Sequence, residues 1–469
     1  MSTLVRPLRQ IADLPAPGGS LPLVGHLHKM LPPSTHLQLE RWARELGTPY
    51  RVRMGPATVV VYDDPEVAQA ALRDRPQRLR RLSTIRPVFR EMGIDGLFSA
   101  ERDDWEPQRR LIMQALNASH FRAFYPALRT ITERLLKRWQ GAAARGEVLQ
   151  MNQELMRYTV DVTSTLAFGE DPNTLEQDGN VVQDQLALIF PMLMQRTLAP
   201  WPYWRWFKLP ADRKLDRALK AVHAYAHERI ARARDRLHDD PSATPRNALE
   251  AMLQQADQPG SGFDDNLVVA NVLTLLLAGE DTTAYSLSWT LLFLAADKAL
   301  QDRMHAQAVD LLGPHGVCAE HDGVKRLDAF EALAMEALRL KPVVSFLALD
   351  TREPQVIGGV ALPDRSRLFL LFRPAQSDAR QFACPHTYDA SRWAHHEAKG
   401  AHNPRAFLQF GAGPRVCPGR HLAAVEMRLV LSMLLKHFRI ELACDPAEIR
   451  EHIQFTTRPS WMPVRLIPR

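Results

Sequence analysis

Apolar residues recur every three or four positions through most of the stretch from residue 101 to 340, the spacing of helices that bury one face. A polar break containing proline and glycine, Asp239 to Gly262, interrupts that pattern. Residues 14 to 34 carry Pro15, Pro17, Gly18, Gly19, Pro22, Pro32 and Pro33, which predicts an extended leader before the first helix. Tyr50 to Tyr62 alternates about Gly55-Pro56 and predicts a hairpin; Asp64 and Pro65 then supply the N-cap and first residue of a helix. Strand patterning returns at Val356 to Phe372, with turns at Gly358-Gly359 and Pro363-Asp364. The last helix is expected just after Cys417, burying one stripe of Leu422, Val425, Leu429 and Met433. The most apolar run, Val268 to Ala278, is broken by Asn271 and ends at Glu280, which predicts a buried helix too short to span a bilayer. With no internal repeat and no linker between globular halves, the fold class is mainly α: a proline-rich leader over 1–34, then a helix-rich single domain with small β-sheets over 35–469.

Composition narrows the class. With 46% hydrophobic and 24% charged residues in 469, the chain is an ordinary globular protein, neither disordered nor fibrous. A net charge of +6 and pI near 9.2 admit an acidic partner. The basic residues are spread out, without aromatic interleaving or a finger or helix-turn-helix signature, so no nucleic acid is expected and a docking face for an acidic protein is. Cys318, Cys384, Cys417 and Cys444 show no close pairing; a disulfide framework or zinc site is not expected, and a reducing, cytoplasmic location is. The first residues form no signal peptide or integral membrane anchor. His395-His396 and His402 have no acid or cysteine at ligand spacing, and the chain holds no G-x-S-x-G, Walker A or H-E-x-x-H pattern.

The chemistry is carried by Phe410-Gly411-Ala412-Gly413-Pro414-Arg415-Val416-Cys417-Pro418-Gly419. Glycines permit a tight turn beneath a flat group, and amides near a helix start lower a thiol pKa. The spacing F-x-x-G-x-R-x-C-x-G resembles the haem-binding signature of the cytochrome P-450 family. That resemblance implies haem b (iron protoporphyrin IX) between the long central helix and the cysteine-loop helix. Cys417 would be the axial thiolate, in a loop shaped by Phe410, Gly413, Arg415 and Gly419.

Ala278-Gly279-Glu280-Asp281-Thr282-Thr283 sets acids and hydroxyls inside an apolar helix, and glycine with threonine there favours a kink or widened turn. It resembles the family's A-G-x-[DE]-T-[ST] segment, which makes Asp281 and Thr282 the acid–alcohol pair that handles protons. Glu336 and Arg339 stand three apart on one helix face. The resemblance adds Arg392 as third member of a buried triad serving folding and haem retention. Trp105 and Arg109, one helical turn apart, resemble the helix beside the haem propionates, where Arg415 also belongs. Many family members have an arginine where this chain has Leu349; Arg352 lies three residues on.

Substrate-facing segments follow by analogy: Phe89 to Phe98, Ile189 to Phe207, Leu275 to Ala278, Val343 to Leu347 and Phe455 to Thr457, with Phe98, Leu275, Ala278, Val344, Phe346 and Phe455 lining the pocket. The aromatic run Pro200 to Phe207 suits a lid, a membrane-touching tip or packing. The family implies a soluble, bacterial-type monooxygenase. It takes O2, two electrons and two protons, and inserts one oxygen atom, by hydroxylation or epoxidation, into a hydrophobic small molecule such as a fatty acid, terpenoid, steroid or polyketide. No fused reductase follows the cysteine helix, so a separate ferredoxin or flavodoxin with an NAD(P)H-dependent reductase is expected. The alternatives are a peroxide-driven peroxygenase or isomerase, which typically lacks the acid–Thr pair, and a non-catalytic haem sensor or carrier.

Overall fold

The computed structural model describes residues 8–177, 181–199, 201–240, 244–393 and 402–469. One five-stranded sheet runs in the order Tyr50–Met54, Ala57–Tyr62, Arg367–Leu371, Phe346–Thr351, Leu79–Arg81. The first pair is the expected hairpin, with Val52 opposite Val59 and Gly55 at φ +60° in its turn. The Asp64 carboxylate accepts from the amides of Glu66 (2.8 Å) and Val67 (3.2 Å), capping the helix Pro65–Arg73. Strands return earlier than predicted, at Phe346, because the apolar run there pairs on both sides within the sheet.

The proline-rich segment, described from residue 8, is tied to this sheet and to a separate three-stranded one. Arg9–Gln10 pairs in parallel with Val360–Ala361, and Arg51 donates its amide to the Pro15 carbonyl at 2.8 Å. Buried His26 links the Pro17 carbonyl (2.9 Å) to the Arg53 amide (3.0 Å).

The other half of the molecule is helical. Its axis is the 32-residue helix Asp265–Ala296, whose N-cap Asp264 accepts from the Leu267 amide at 2.8 Å. This is longer than the expected run to Ala278: the helix continues through Gly279–Thr283 to Ala296. By length and composition it could cross a bilayer, but most of it is core, packed by Met151–Phe168, Asp328–Leu340 and Arg420–His437. The helical assignment is unbroken through Gly279–Thr283, where Thr282 bonds back to the Ala278 carbonyl as expected. Gly279 also serves close packing: a Cβ there would lie 2.5 Å from Thr163 Cγ2 on the neighbouring helix.

Within the predicted polar break a further helix, Ala248–Ala256, forms. Asn247 caps it, and Leu249, Met252 and Leu253 are buried. The last helix, Arg420–His437, buries the predicted stripe and also Leu431, Leu434 and Leu435, so it is enclosed nearly all round. Small sheets close the C-terminal end, among them the hairpin of Glu451–Ile453 with Thr457–Pro459.

Gly279→Val should destabilise the fold by about 1–3 kcal/mol through overpacking against Thr163, read by denaturant unfolding. Adding Thr163→Ala should recover part of that loss; no recovery would mean that this contact does not set the helix approach.

Candidate active site

The cysteine loop is built by its backbone. Cys417 donates its amide to the Phe410 carbonyl at 2.8 Å, and Val416 donates to Gly413 at 3.2 Å. Gly411 and Gly413 take φ +73° and +67°, and a Cβ on Gly413 would come within 2.8 Å of the Arg73 backbone. Gly419 has an ordinary φ of −83° and serves as N-cap of the last helix, its hypothetical Cβ 3.9 Å from Cys417 Sγ. The tight turn therefore comes from Gly411 and Gly413, not from Gly413 and Gly419.

Burial pushes the Cys417 thiol pKa up, while the Gly419 and Arg420 amides and the guanidinium of Arg109 pull it down. The amide effect expected from the sequence is present, but burial outweighs it. A metal cation at the sulfur would supply the missing stabilisation of a thiolate.

Beside the loop the chain gathers guanidinium groups. Glu101 bonds Arg352 at 2.7 Å, lies 3.3 Å from Arg415 and accepts the Arg81 amide at 3.0 Å. Arg415 also donates to the Ala100 carbonyl at 2.5 Å and lies 5.1 Å from the Trp105 ring centre. Arg75 is 3% exposed, with Nε and Nη2 unpartnered. Its pKa falls to about 9 through burial and the charge of Arg415; that of Arg415 falls to about 10, chiefly through burial. Burial and the charges of Arg75 and Arg415 lower Arg81 as well. Positive groups sharing one carboxylate call for further anions, and the two propionates of a haem fit that need. Of the residues the sequence expects beside the propionates, Arg415 packs on Trp105, and Arg109 acts through its charge on Arg415 and Cys417. Arg75, Arg81 and Glu101 were missed, because single arginines and glutamates carry no local signature. Arg352 acts on Glu101, and Leu349 is fully buried opposite Arg81 on the adjacent strand.

The long helix opens one stripe in its middle: Thr274, Leu275, Ala278, Asp281 and Thr282 are partly or fully exposed, whereas Val268 to Leu273 and Thr283 to Leu291 are buried. That is the i, i+4, i+7 spacing of one face. Thr282 Oγ1 donates to the Ala278 carbonyl at 2.8 Å. Asp281 Oδ2 lies 3.4 Å from the Thr456 hydroxyl, and burial raises its pKa to about 6. Glu280 is buried with Oε2 unpartnered, and burial, with the charge of Asp281, raises its carboxyl pKa well above the usual range. Asn271, which broke the apolar run, accepts from the Leu97 amide at 2.9 Å and donates to Gln108 at 3.1 Å, fixing the segment that carries Phe98.

Phe98 stacks on Phe89 at 5.3 Å and meets Phe455 at 5.4 Å, which in turn meets Phe190 at 5.3 Å. Arg81 lies 3.6 Å over the Phe98 ring. Phe98 and Phe455 thus join one aromatic wall beside Leu275 and Ala278. Val344 donates its amide to Gln409 at 3.4 Å and packs against the sheet cluster of Val60, Leu368 and Leu370. Phe346 is not part of this group: its ring packs 5.1 Å from Phe369 under the large sheet, because strand alternation turns it to the other face.

Glu336, Arg339 and Arg392 meet in the interior, all 4% exposed or less. Glu336 accepts from Arg339 (2.8 and 2.9 Å), Arg392 (3.0 Å), the Trp393 indole (2.9 Å) and the Asp389 amide (3.0 Å). Arg339 also reaches the carbonyls of Gln376, Pro385 and Thr387, pinning the strand-poor stretch that leads to the cysteine loop. His402 stacks on Phe382 at 5.4 Å, and His395-His396 lie outside the described residues. In the aromatic run, Pro200 lies outside the described residues, buried Trp204 donates to Glu91 at 2.8 Å, and Trp206 is 71% exposed.

The family model named Cytochrome P450 matches residues 15–461. A cyclooctatin synthase of Streptomyces melanosporofaciens is 27% identical over 97% of this chain and 95% of its own length. A steroid 21-hydroxylase of Sus scrofa is 28% identical over 96% and 92%. The crystal structure of the cytochrome P450DA heme domain superposes with a TM-score of 0.87 at 23% identity, covering 99% of both chains, a likeness of fold.

Glu336→Ala would strand two buried guanidinium groups, at a cost of about 3–5 kcal/mol. The variant should express without haem or fail to fold, checked by the haem-to-protein absorbance ratio and unfolding. A folded, haem-loaded variant that lost only turnover would reassign Glu336 to chemistry.

Proposed function

The chain belongs to the cytochrome P450 family, and from that premise we propose that its haem is haem b, held by Cys417, and that it oxygenates a hydrophobic small molecule. It is a cytochrome P450 monooxygenase. When bound, the haem iron supplies the redox chemistry that splits O2 and places one oxygen atom in a C–H bond or double bond. The observation that carries the assignment of Cys417 is the thiol set among amides at the start of the last helix, beside guanidinium groups short of anions.

The protein's own residues take the remaining tasks. Trp105, Arg109 and Arg415, with Arg75 and Arg81, neutralise the propionates. Asp281 and Thr282 hold protons on the open stripe of the long helix, and the presence of that pair favours use of O2 over peroxide. Phe98, Phe455, Leu275 and Ala278 exclude water and seat an apolar substrate. Relatives named for a steroid and for cyclooctat-9-en-7-ol support that class, as do the aromatic walls. A fatty acid, terpenoid, steroid or polyketide fits it. Cysteines unpaired among the described residues suit the cytoplasm.

Electrons come from a separate ferredoxin or flavodoxin with its reductase, and the docking face we infer is the exposed group Arg73, Arg405 and Arg420. Gln69 ties the first two together, bonding Arg73 at 3.0 Å and the Arg405 carbonyl at 2.7 Å. Arg415, 4% exposed, is committed to the cradle.

The reduced carbon-monoxide complex should show the long-wavelength Soret band of a thiolate haem, and Cys417→Ala should abolish it; retention of the band would sink the assignment. For docking, Arg73→Glu with Arg405→Glu should slow reduction by an acidic ferredoxin, and by dithionite not at all. Wild-type reduction should slow as salt rises, since screening acts over about 8 Å at physiological ionic strength. Rates indifferent to both charge and salt would remove electrostatic docking from this face.

A further inference from the structure

The acid of the long helix does not stand on that helix alone. Facing Asp281 is the hairpin of Glu451–Ile453 with Thr457–Pro459, whose turn places Phe455 against the aromatic wall and Thr456 3.4 Å from Asp281. The hairpin is firmly anchored. Thr457 donates its amide to the Val343 carbonyl at 2.8 Å, and its hydroxyl meets that of Ser345 at 2.6 Å.

Two residues beyond Thr456 stands Arg458, half-buried, its Nε enclosed and without a hydrogen-bond partner. Tyr285, one turn along the long helix, interacts with both Asp281 and Arg458. The groups that face Asp281 are therefore Arg458 and Thr456 on the hairpin and Tyr285 on its own helix, with Glu280 as its neighbour in the chain. Burial, with the charge of Asp281, raises the Glu280 carboxyl pKa, and burial with the charges of Arg458 and Arg450 lowers that of His452, which stands opposite Arg458 in the hairpin register, so both shifts favour the uncharged form. Arg458 is thus the one cation acting on Asp281 among the described residues.

We propose that Arg458, with the Thr456 hydroxyl, is the positioning element for Asp281: the C-terminal hairpin supplies the charge and the hydrogen bond that keep this carboxylate ionised and aimed for proton handling. The proposal rests on the role given to Asp281 above. A carboxylate on an apolar helix face is driven toward its neutral form, and the charge of a guanidinium on the facing hairpin opposes that drive. The resulting balance, a pKa of about 6, leaves Asp281 mostly ionised at neutral pH yet able to take up a proton. Nothing in the A-G-x-[DE]-T-[ST] segment encodes that balance. It depends on a side chain 177 positions later in the chain, which reaches the helix only through the hairpin.

The test uses the haem-loaded enzyme with Arg458→Met, Arg458→Lys, Thr456→Val and Asp281→Asn. Infrared titration in heavy water would follow the protonated-carboxyl band that Asp281→Asn removes. The wild-type midpoint should lie near about 6. Losing the cation raises the acid's pKa, so Arg458→Met should shift the midpoint up by roughly 1 unit or more, Arg458→Lys should hold it, and Thr456→Val should shift it up by less. Product formed per electron by Arg458→Met should then fall at neutral pH, with peroxide released, and recover as pH rises. An Arg458→Met variant with midpoint and coupling unmoved would overturn the inference, as would unmoved values in Thr456→Val and Arg458→Lys should the methionine variant not fold. If Asp281→Asn itself couples like wild type, the fault lies in the role of Asp281 and not in its partner.

Discussion

Surplus positive charge beside the cysteine loop is the constraint on which the rest of the site depends. Arg75, Arg81, Arg352 and Arg415 gather about the Glu101 carboxylate, and enclosed nitrogens on Arg75 and Arg415 have no partner. An unpaired buried charge costs several kcal/mol, so this arrangement is stable only with further negative charge. A dianionic macrocycle meets the need, and a ligand that binds only the native state stabilises it by mass action. On the reading proposed for Cys417, folding and cofactor retention would be linked through electrostatics as well as through the thiolate.

Polar satisfaction divides the interior by task. Glu336 is saturated with donors, Arg339 spends its remaining hydrogens on backbone carbonyls, and Arg392 adds a bond to the Ala383 carbonyl. Such a network has one arrangement and holds it. The long helix is the reverse: Glu280 keeps an unpartnered oxygen, and Asp281 has one long hydrogen bond and a pKa drawn toward neutrality. Groups meant to exchange protons cannot be locked by donors from every side, since a carboxylate so bonded would not protonate at working pH. The two acidic sites differ in their surroundings, not in residue type.

What could be read from the sequence was what is local in it. The hairpin at Gly55-Pro56, the cap at Asp64, the cysteine loop and the residues Asp281, Thr282, Glu336 and Arg339 all lie in short windows with their own spacing. The helix Ala248–Ala256 was hidden because only its few apolar residues separate it from the polar stretches on either side. Gly279 has a further use that no local reading reaches. Its signal as a helix breaker is intrinsic, while its use, room for Thr163, exists only once two helices cross. Phe346 was placed in the pocket by its neighbours in the chain, yet strand alternation sends consecutive side chains to opposite faces.

The cradle shows why long-range pairing defeats a position-by-position reading. Leu349 occupies the place where an arginine is common in the family, which suggests a missing contact. In the sheet, however, Leu349 is paired with Arg81 of the adjacent strand, and cross-strand partners lie close enough for one strand to supply what the other lacks. Arg81 reaches toward Phe98 and is surrounded by the same charges as Arg75 and Arg415. The requirement for positive charge beside the propionates is therefore a property of a region, not of a sequence position. Several strands share in providing the charge at this site, since Arg81 and Arg352 come from adjacent stretches of the sheet and Arg415 from the cysteine loop.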